Sequence, residues 1–381
     1  MRIALIYDAV YPYVKGGAER RYFEIARRLS IRHEVTLVSF GWWKDTPPAD
    51  AGPNLKYLSV GKPRALYRED GTRAASEALL FGAAVVPTLL RERFDIVDCC
   101  SFPYFSVLSA RMVTAGRRLP FVVTWHEHWG PYWREYWGWK GALGRLVEQA
   151  AVAASPLSIS VSEFTRKRLL AGRFGRSPES VVTIPNGIDL DVISAAREGP
   201  DPVDLVYVGR LMPHKRVDLL IEAIGVLRDQ GRSVRCRIVG DGPERSRLVD
   251  LAEGLGVSQL IEFTGFVPES QVYEIMKSAR ALVLTSEREG FGNVVLEANG
   301  CGIPAIVARG PESASAELVR ENITGRTCSL SAVSVADAIA DVLDDSSRFR
   351  KDDCIAHAQG FDWTKVSDRV LDIYESVLSE H

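Results

Sequence analysis

Residues 285–307 read TSEREGFGNVVLEANGCGIPAIV, and this stretch decides the reading of the chain. An apolar strand, Ala281–Thr285, is predicted to run into Glu289-Gly290-Phe291-Gly292-Asn293. A helix is predicted over Val294–Asn299, and Gly302-Ile303-Pro304 then leads to a second strand. Glu289 and Glu297 stand eight residues apart, roughly 12 Å if the rise is helical throughout. Between them, glycines and a helix start expose backbone N–H groups and a positive dipole end, a setting that suits a diphosphate. Carboxylates for sugar hydroxyls on either side of an anion site imply a nucleotide-sugar pocket. A glutamate near a helix start is commonly only a dipole partner; the strand–glycine loop–helix context makes the pair specific.

Outward from this segment, short apolar strands alternate with amphipathic stretches such as Ala18–Leu29 and Val217–Asp229. Strands are expected at Arg2–Tyr7, Glu34–Ser39, Ile96–Cys99, Phe121–Trp125, Leu157–Val161 and Val181–Ile184. A second series is expected at Leu205–Val208, Arg235–Val239, Ile261–Thr264, Ala281–Thr285 and Ala305–Val307. Such alternation predicts an α/β chain of βαβ units with parallel sheets. The pattern restarts after the charged Gly/Pro stretch 196–202. Two Rossmann-like, doubly wound domains are therefore expected, 1–196 and 203–361, with a last helix in 362–381. Ligands of such sheets sit at the carboxyl ends of the strands, so a deep interdomain cleft is the expected site.

The 381 residues suffice for two cores, and 46% hydrophobic with 25% charged residues is ordinary globular composition. Six cysteines without C-x-x-C spacing favour a reduced, cytosolic chain and support neither a disulfide framework nor a zinc site. The opening MRIALIYDAVYP is too short in its apolar run for a secretory signal and is expected to be a buried strand. The apolar run Ala78–Leu90 contains Pro87 and is too short to span a bilayer. Residues 1–195 carry 26 Lys/Arg against 19 Asp/Glu, while 196–381 carry 21 against 30. A basic first half suggests an anionic surface or acceptor, and the absence of basic tails argues against nucleic acid.

Three further motifs carry chemistry, and a fourth is set aside. Gly16-Gly17 opens a helix after the first strand, where backbone can approach an anion or sugar; it lacks the G-x-G-x-x-G of a dinucleotide site. Arg210 and Lys215 follow the strand Leu205–Val208, where fixed cations would stabilise a departing diphosphate without a metal. His126 ends the strand Phe121–Trp125, followed by Glu127 and His128. Asp189-Leu190-Asp191 formally reads D-x-D, but it follows the turn signal Pro185-Asn186-Gly187 and is assigned a structural role.

These segments, in this order, resemble the family 4 retaining glycosyltransferases, whose fold is GT-B. The resemblance implies transfer of a hexosyl group from a UDP- or GDP-sugar to a hydroxyl of a glycan or lipid-linked acceptor, with retention and without a metal or other cofactor. It assigns Arg210 and Lys215 to the departing phosphates, Glu289 to donor-sugar hydroxyls, and Glu297 to the ribose. His126 falls to the donor sugar near the reacting centre, with Glu127 where aspartate is common. Gly16, Gly17, Phe291, Gly292, Asn293 and Val294 fall to the donor, and Phe266 and Val267 to its base. A nucleotide-sugar epimerase on the same fold and a silent nucleotide-sugar-binding partner protein are the competing classes.

Five of the eight tryptophans lie between 125 and 139, and Trp129, Trp133 and Trp137 recur every four residues. Such spacing predicts one side of a helix. Two readings stay open: an aromatic core stripe, or, with Arg134, Lys140 and Arg145 interleaved, a contact for an amphiphilic acceptor at the anionic inner face of the cell membrane.

Overall fold

The computed structural model describes residues 1–43, 52–64, 66, 74–172 and 176–380. The chain divides into two compact units, Met1–Asn186 with Trp363–His381, and Gly187–Asp362. The division falls before the Gly/Pro stretch 196–202, because helix Leu190–Ala195 packs with helices Glu269–Lys277 and Asn293–Gly300 of the second unit. Asp189 starts that helix, its side chain accepting from the Val192 N–H at 3.2 Å.

The first unit is built on a seven-stranded sheet. Its strands are β1 (Arg2–Ile6), β2 (Glu34–Ser39), β3 (Leu55–Ser59), β4 (Ile96–Cys100), β5 (Phe121–Trp125), β6 (Leu157–Ser160) and β7 (Val181–Thr183). All pairs are parallel, in the order β3-β2-β1-β4-β5-β6-β7. Both faces are buried. Ile3 and Leu5 enter one core with Tyr22, Ile25, Trp363, Val366, Val370 and Tyr374; Ala4 and Ile6 enter the other with Phe81, Val85, Val107, Trp125 and Trp133. This two-residue alternation is the strand's own periodicity, and burial on both faces explains why β1 and β4 read as largely apolar stretches, with Asp98 the one acid inside β4. Helix Trp363–Ser379 thus completes the first unit, packing beside helix Gly17–Leu29. The apolar run read at Ala78–Leu90 lies in helix Ala75–Arg91, which holds Pro87 inside it.

The second unit holds β8 (Val203–Val208), β9 (Cys236–Val239), β10 (Ile261–Gly265), β11 (Ala279–Leu284), β12 (Arg288–Glu289), β13 (Ala305–Arg309), β14 (Glu312–Ser313) and β15 (Gly325–Ser329). Six form a parallel sheet in the order β10-β9-β8-β11-β13-β15, and β12 pairs separately with β14. The strand order reverses between β1 and β4 in one sheet and between β8 and β11 in the other, the crevices where open α/β sheets bind ligands. Among the described residues, no helix is long and apolar enough to cross a membrane.

Candidate functional site

In the second unit, the loops leaving β8, β9, β10 and β11 lie together because backbone contacts zip them. The Gly209 N–H donates to Val239 O (3.0 Å), Leu211 N–H to Asp241 O (2.9 Å), and Gly240 N–H to Gly265 O (2.9 Å). These approaches need glycine. A Cβ at Gly240, whose φ is +134°, would come within 2.0 Å of the Gly209 carbonyl oxygen, and one at Gly242 within 2.4 Å of that of Leu211.

The decisive loop is held by three hydrogen bonds, two to the turn Pro213–Lys215 and one to Ala314. Thr285 Oγ1 donates to Lys215 O (3.0 Å), Glu287 N–H to His214 O (2.9 Å), and Ala314 N–H to Glu289 O (2.8 Å). The ammonium of Lys215 forms an ion pair with the Glu289 carboxylate, and both side chains are about one-fifth exposed. Gly292, with φ +99°, starts helix Asn293–Gly300; a Cβ there would meet Ser315 Cβ at 2.8 Å. Phe291, Val295 and Leu296 are buried, whereas Asn293, Val294 and Glu297 remain partly exposed on one accessible face. Because the helix starts at Asn293, Glu289 stands on β12 ahead of it, so the two glutamates do not share one helix and the 12 Å estimate does not apply. Arg210 is exposed in the loop after β8, and Phe266 is 69% exposed after β10, beside the partly exposed Val267. The structure thus groups Lys215 with Glu289, and sets Arg210 after β8 and Phe266 and Val267 after β10, two strands apart on the same sheet.

In the first unit, Gly16 and Gly17 are exposed at the start of helix Gly17–Leu29, following β1. His126 follows β5, its Nε2 buried without a hydrogen-bond partner among the described residues. Burial first, and the Arg21 guanidinium second, push its pKa down to about 3, so the imidazole is neutral near pH 7. Arg21 is itself buried and donates to Pro185 O (2.6 Å) and Asn186 Oδ1 (3.2 Å). Beneath lies Asp98 of β4, which accepts from Tyr374 Oη (2.6 Å), Tyr22 Oη (2.9 Å) and Thr124 Oγ1 (3.0 Å). Burial raises the Asp98 pKa against the opposing pull of these donors and of Arg21. Sequence reasoning passed over Arg21 and Asp98, though an acid inside the apolar strand Ile96–Cys100 is a signal that a buried partner awaits it.

The tryptophans resolve differently from an exposed stripe. Trp129 precedes helix Tyr132–Trp137, Trp133 is 4% exposed, and Trp129 and Trp137 pack against the same core. The Trp133 ring lies on helix Gly141–Ala154, where a Cβ at Gly144 would meet the ring at 2.3 Å and one at Gly141 would meet the Trp133 carbonyl oxygen at 1.9 Å. Trp133 is thus a core residue, while Trp129 and Trp137 are partly exposed and lean on that core; Arg134 is exposed.

Two sequence families match consecutive parts of the chain: Glycosyltransferase Family 4 over residues 15–192 and Glycosyl transferases group 1 over 193–359. The chain belongs to the family 4 glycosyltransferases, and its fold is GT-B. It is 27% identical over 258 residues to the D-inositol 3-phosphate glycosyltransferase of Actinosynnema mirum; the match spans 60% of this chain and 60% of that relative's length. Sucrose-phosphate synthase from Thermosynechococcus elongatus shares the fold over the whole of both chains, with a TM-score of 0.82 at 18% identity. Anabaena Alr3699/HepE, solved in complex with UDP, matches at a TM-score of 0.76 and 20% identity over 99% of this chain and all of that one.

Proposed function

We propose that this glycosyltransferase moves a hexosyl group from a UDP- or GDP-sugar to a hydroxyl of a glycan or lipid-linked acceptor, with retention of anomeric configuration. The observation that carries the donor half is the Lys215–Glu289 ion pair beside the Gly292 helix start, at the strand ends where the sheet order reverses. A diphosphate against the N–H groups of Asn293 and Val294 would gain charge as its bond to the sugar breaks. Lys215 and Arg210 would then stabilise the transition state more than the ground state, which removes the need for a metal. Glu289 would hold sugar hydroxyls, Glu297 the ribose, Phe291 the floor of the loop, and Phe266 and Val267 the base. His126, neutral, would accept or donate a hydrogen bond at the donor sugar, and Gly16 and Gly17 would admit the diphosphate and acceptor closely. On departure, a phosphate oxygen would take the acceptor proton as the acceptor oxygen joins C1 on the same face.

The UDP held by the Anabaena protein supports a nucleotide donor, and the D-inositol 3-phosphate in the name of the Actinosynnema mirum relative is consistent with a hydroxyl acceptor bearing negative charge. The basic balance of residues 1–195 is consistent with such an acceptor. Thermal-shift titration with UDP-, GDP- and ADP-sugars selects the donor, because a ligand at a hundredfold its Kd adds about 2.7 kcal/mol. With that donor, Glu297→Ala is expected to raise donor KM at least about tenfold through a lost charged hydrogen bond. Lys215→Ala is expected to lower kcat about 10²- to 10³-fold, as removal of a fixed transition-state partner does. Wild-type kinetics in both variants would overturn the assignment, and an inverted product anomer by NMR would overturn retention.

A further inference from the structure

The surface of the first unit carries an apolar ridge that is left exposed among the described residues. Trp139, Leu143 and Leu146 are 84%, 64% and 61% exposed. They stand at intervals of four and three residues through the turn Gly138–Lys140 and helix Gly141–Ala154, and therefore project from one face. Exposed apolar side chains scattered singly are ordinary; three in line are not. Arg134, Lys140 and Arg145 flank them, all exposed, and none forms an ion pair with an acid among the described residues. Lys140 Nζ instead lies 5.7 Å from the Trp139 ring centroid. Of the two acids in the segment, Glu135 is exposed, but Glu148 is turned inward. It accepts from Tyr104 Oη (2.7 Å) and the Trp129 and Gly130 N–H groups (2.7 and 2.8 Å), and so does not offset the cations. Arg134, Trp139, Arg145 and Leu146 also border a hollow of about 1270 Å³, room for polar headgroups beside the ridge.

We infer that this ridge is a docking surface for an anionic phospholipid leaflet, with the apolar side chains entering the acyl boundary and the three cations meeting lipid phosphates. Charge complementarity argues for lipid over a second copy of the chain, since two copies of the same cationic ridge would repel. The partition is peripheral: the apolar face is short and the described helices do not span a bilayer. The inference stands apart from the transfer chemistry, because vesicle binding and donor binding are read separately and either can fail alone.

The test is co-sedimentation of the full chain with vesicles of phosphatidylcholine alone and with phosphatidylglycerol added. Binding is expected only to the anionic vesicles and weakens as salt rises. Replacing Arg134, Lys140 and Arg145 together by glutamine is expected to lower partition about a hundredfold, at roughly fivefold per cation. The pair Leu143→Ser and Leu146→Ser is expected to abolish it, with the melting temperature unchanged because both side chains already face water. Equal binding to both vesicle types, or wild-type binding by the charge variant, would overturn the inference. So would a dimer in sedimentation velocity that the leucine variant dissociates while vesicle binding is absent.

Discussion

His126 shows how one buried side chain records its surroundings in the stability of the protein. Its folded pKa lies near 3, below the ordinary 6.5, because burial and Arg21 both oppose a charged ring. The unfolded chain therefore binds a proton below about pH 6.5 that the native state refuses until pH falls towards 3. Stability is intact above that window and declines as pH falls through it. Between pH 6.5 and 4.5 the loss amounts to about 2–3 kcal/mol at one proton per molecule. Denaturant unfolding of His126→Asn at pH 7, 6, 5 and 4.5 should show a shallower acid decline than the wild type by about that amount. An identical slope would mean that the ring titrates normally in the fold. The neutral imidazole was not legible in the sequence, since the ring's burial and Arg21 both come from folding; only the position of His126 at a strand end was.

Most strands were legible as apolar or alternating stretches, the edge strand Ile261–Gly265 among them, but two others at sheet edges were lost. The strands β1, β4, β5 and β11 appear as largely apolar stretches, whereas Leu55–Ser59 and Gly325–Ser329, at the edges of their sheets, are interrupted by polar residues, so neither was foreseen. The aromatic segment posed a harder problem, because a period of nearly four marks one helical side but not whether that side faces core or solvent. Gly144 held the answer: a missing side chain leaves room for a ring to lie on a helix, and Trp133 does so. Gly144→Ala places a methyl within 2.3 Å of the Trp133 ring. Overpacking of about 1–3 kcal/mol should exceed the gain of up to about 1 kcal/mol in helix propensity. Gly116, exposed at the end of helix Tyr104–Gly116 with nothing within 4 Å of an added methyl, is the control. Chemical denaturation should find Gly144→Ala less stable and Gly116→Ala neutral or slightly more stable. Equal effects would show that Trp133 does not lie on that helix.

For the molecule as a whole, connectivity and packing are at odds. The second unit is one uninterrupted segment, Gly187–Asp362, whereas the first needs residues from both ends of the chain. Helix Trp363–Ser379 brings Trp363, Val366, Val370 and Tyr374 into the first unit's core, each at most 1% exposed. Burying four such side chains contributes several kcal/mol, at about 1.5–3 kcal/mol each, comparable with the whole stability of a domain. Tyr374 adds the 2.6 Å hydrogen bond to Asp98, whose loss would leave a buried carboxyl short of a donor. Residues 187–362 expressed alone should therefore fold, giving a cooperative melt and dispersed amide resonances. Residues 1–186 alone should be unfolded or aggregate, because the face of the sheet that helix Gly17–Leu29 shares with the final helix is left only partly covered. Joining 363–381 to that fragment through a flexible linker should restore a cooperative transition, and Tyr374→Phe in the joined fragment should lower its stability by about 1–3 kcal/mol. A well-folded 1–186 fragment, equal in stability to the joined one, would mean that the final helix covers the sheet without supporting it.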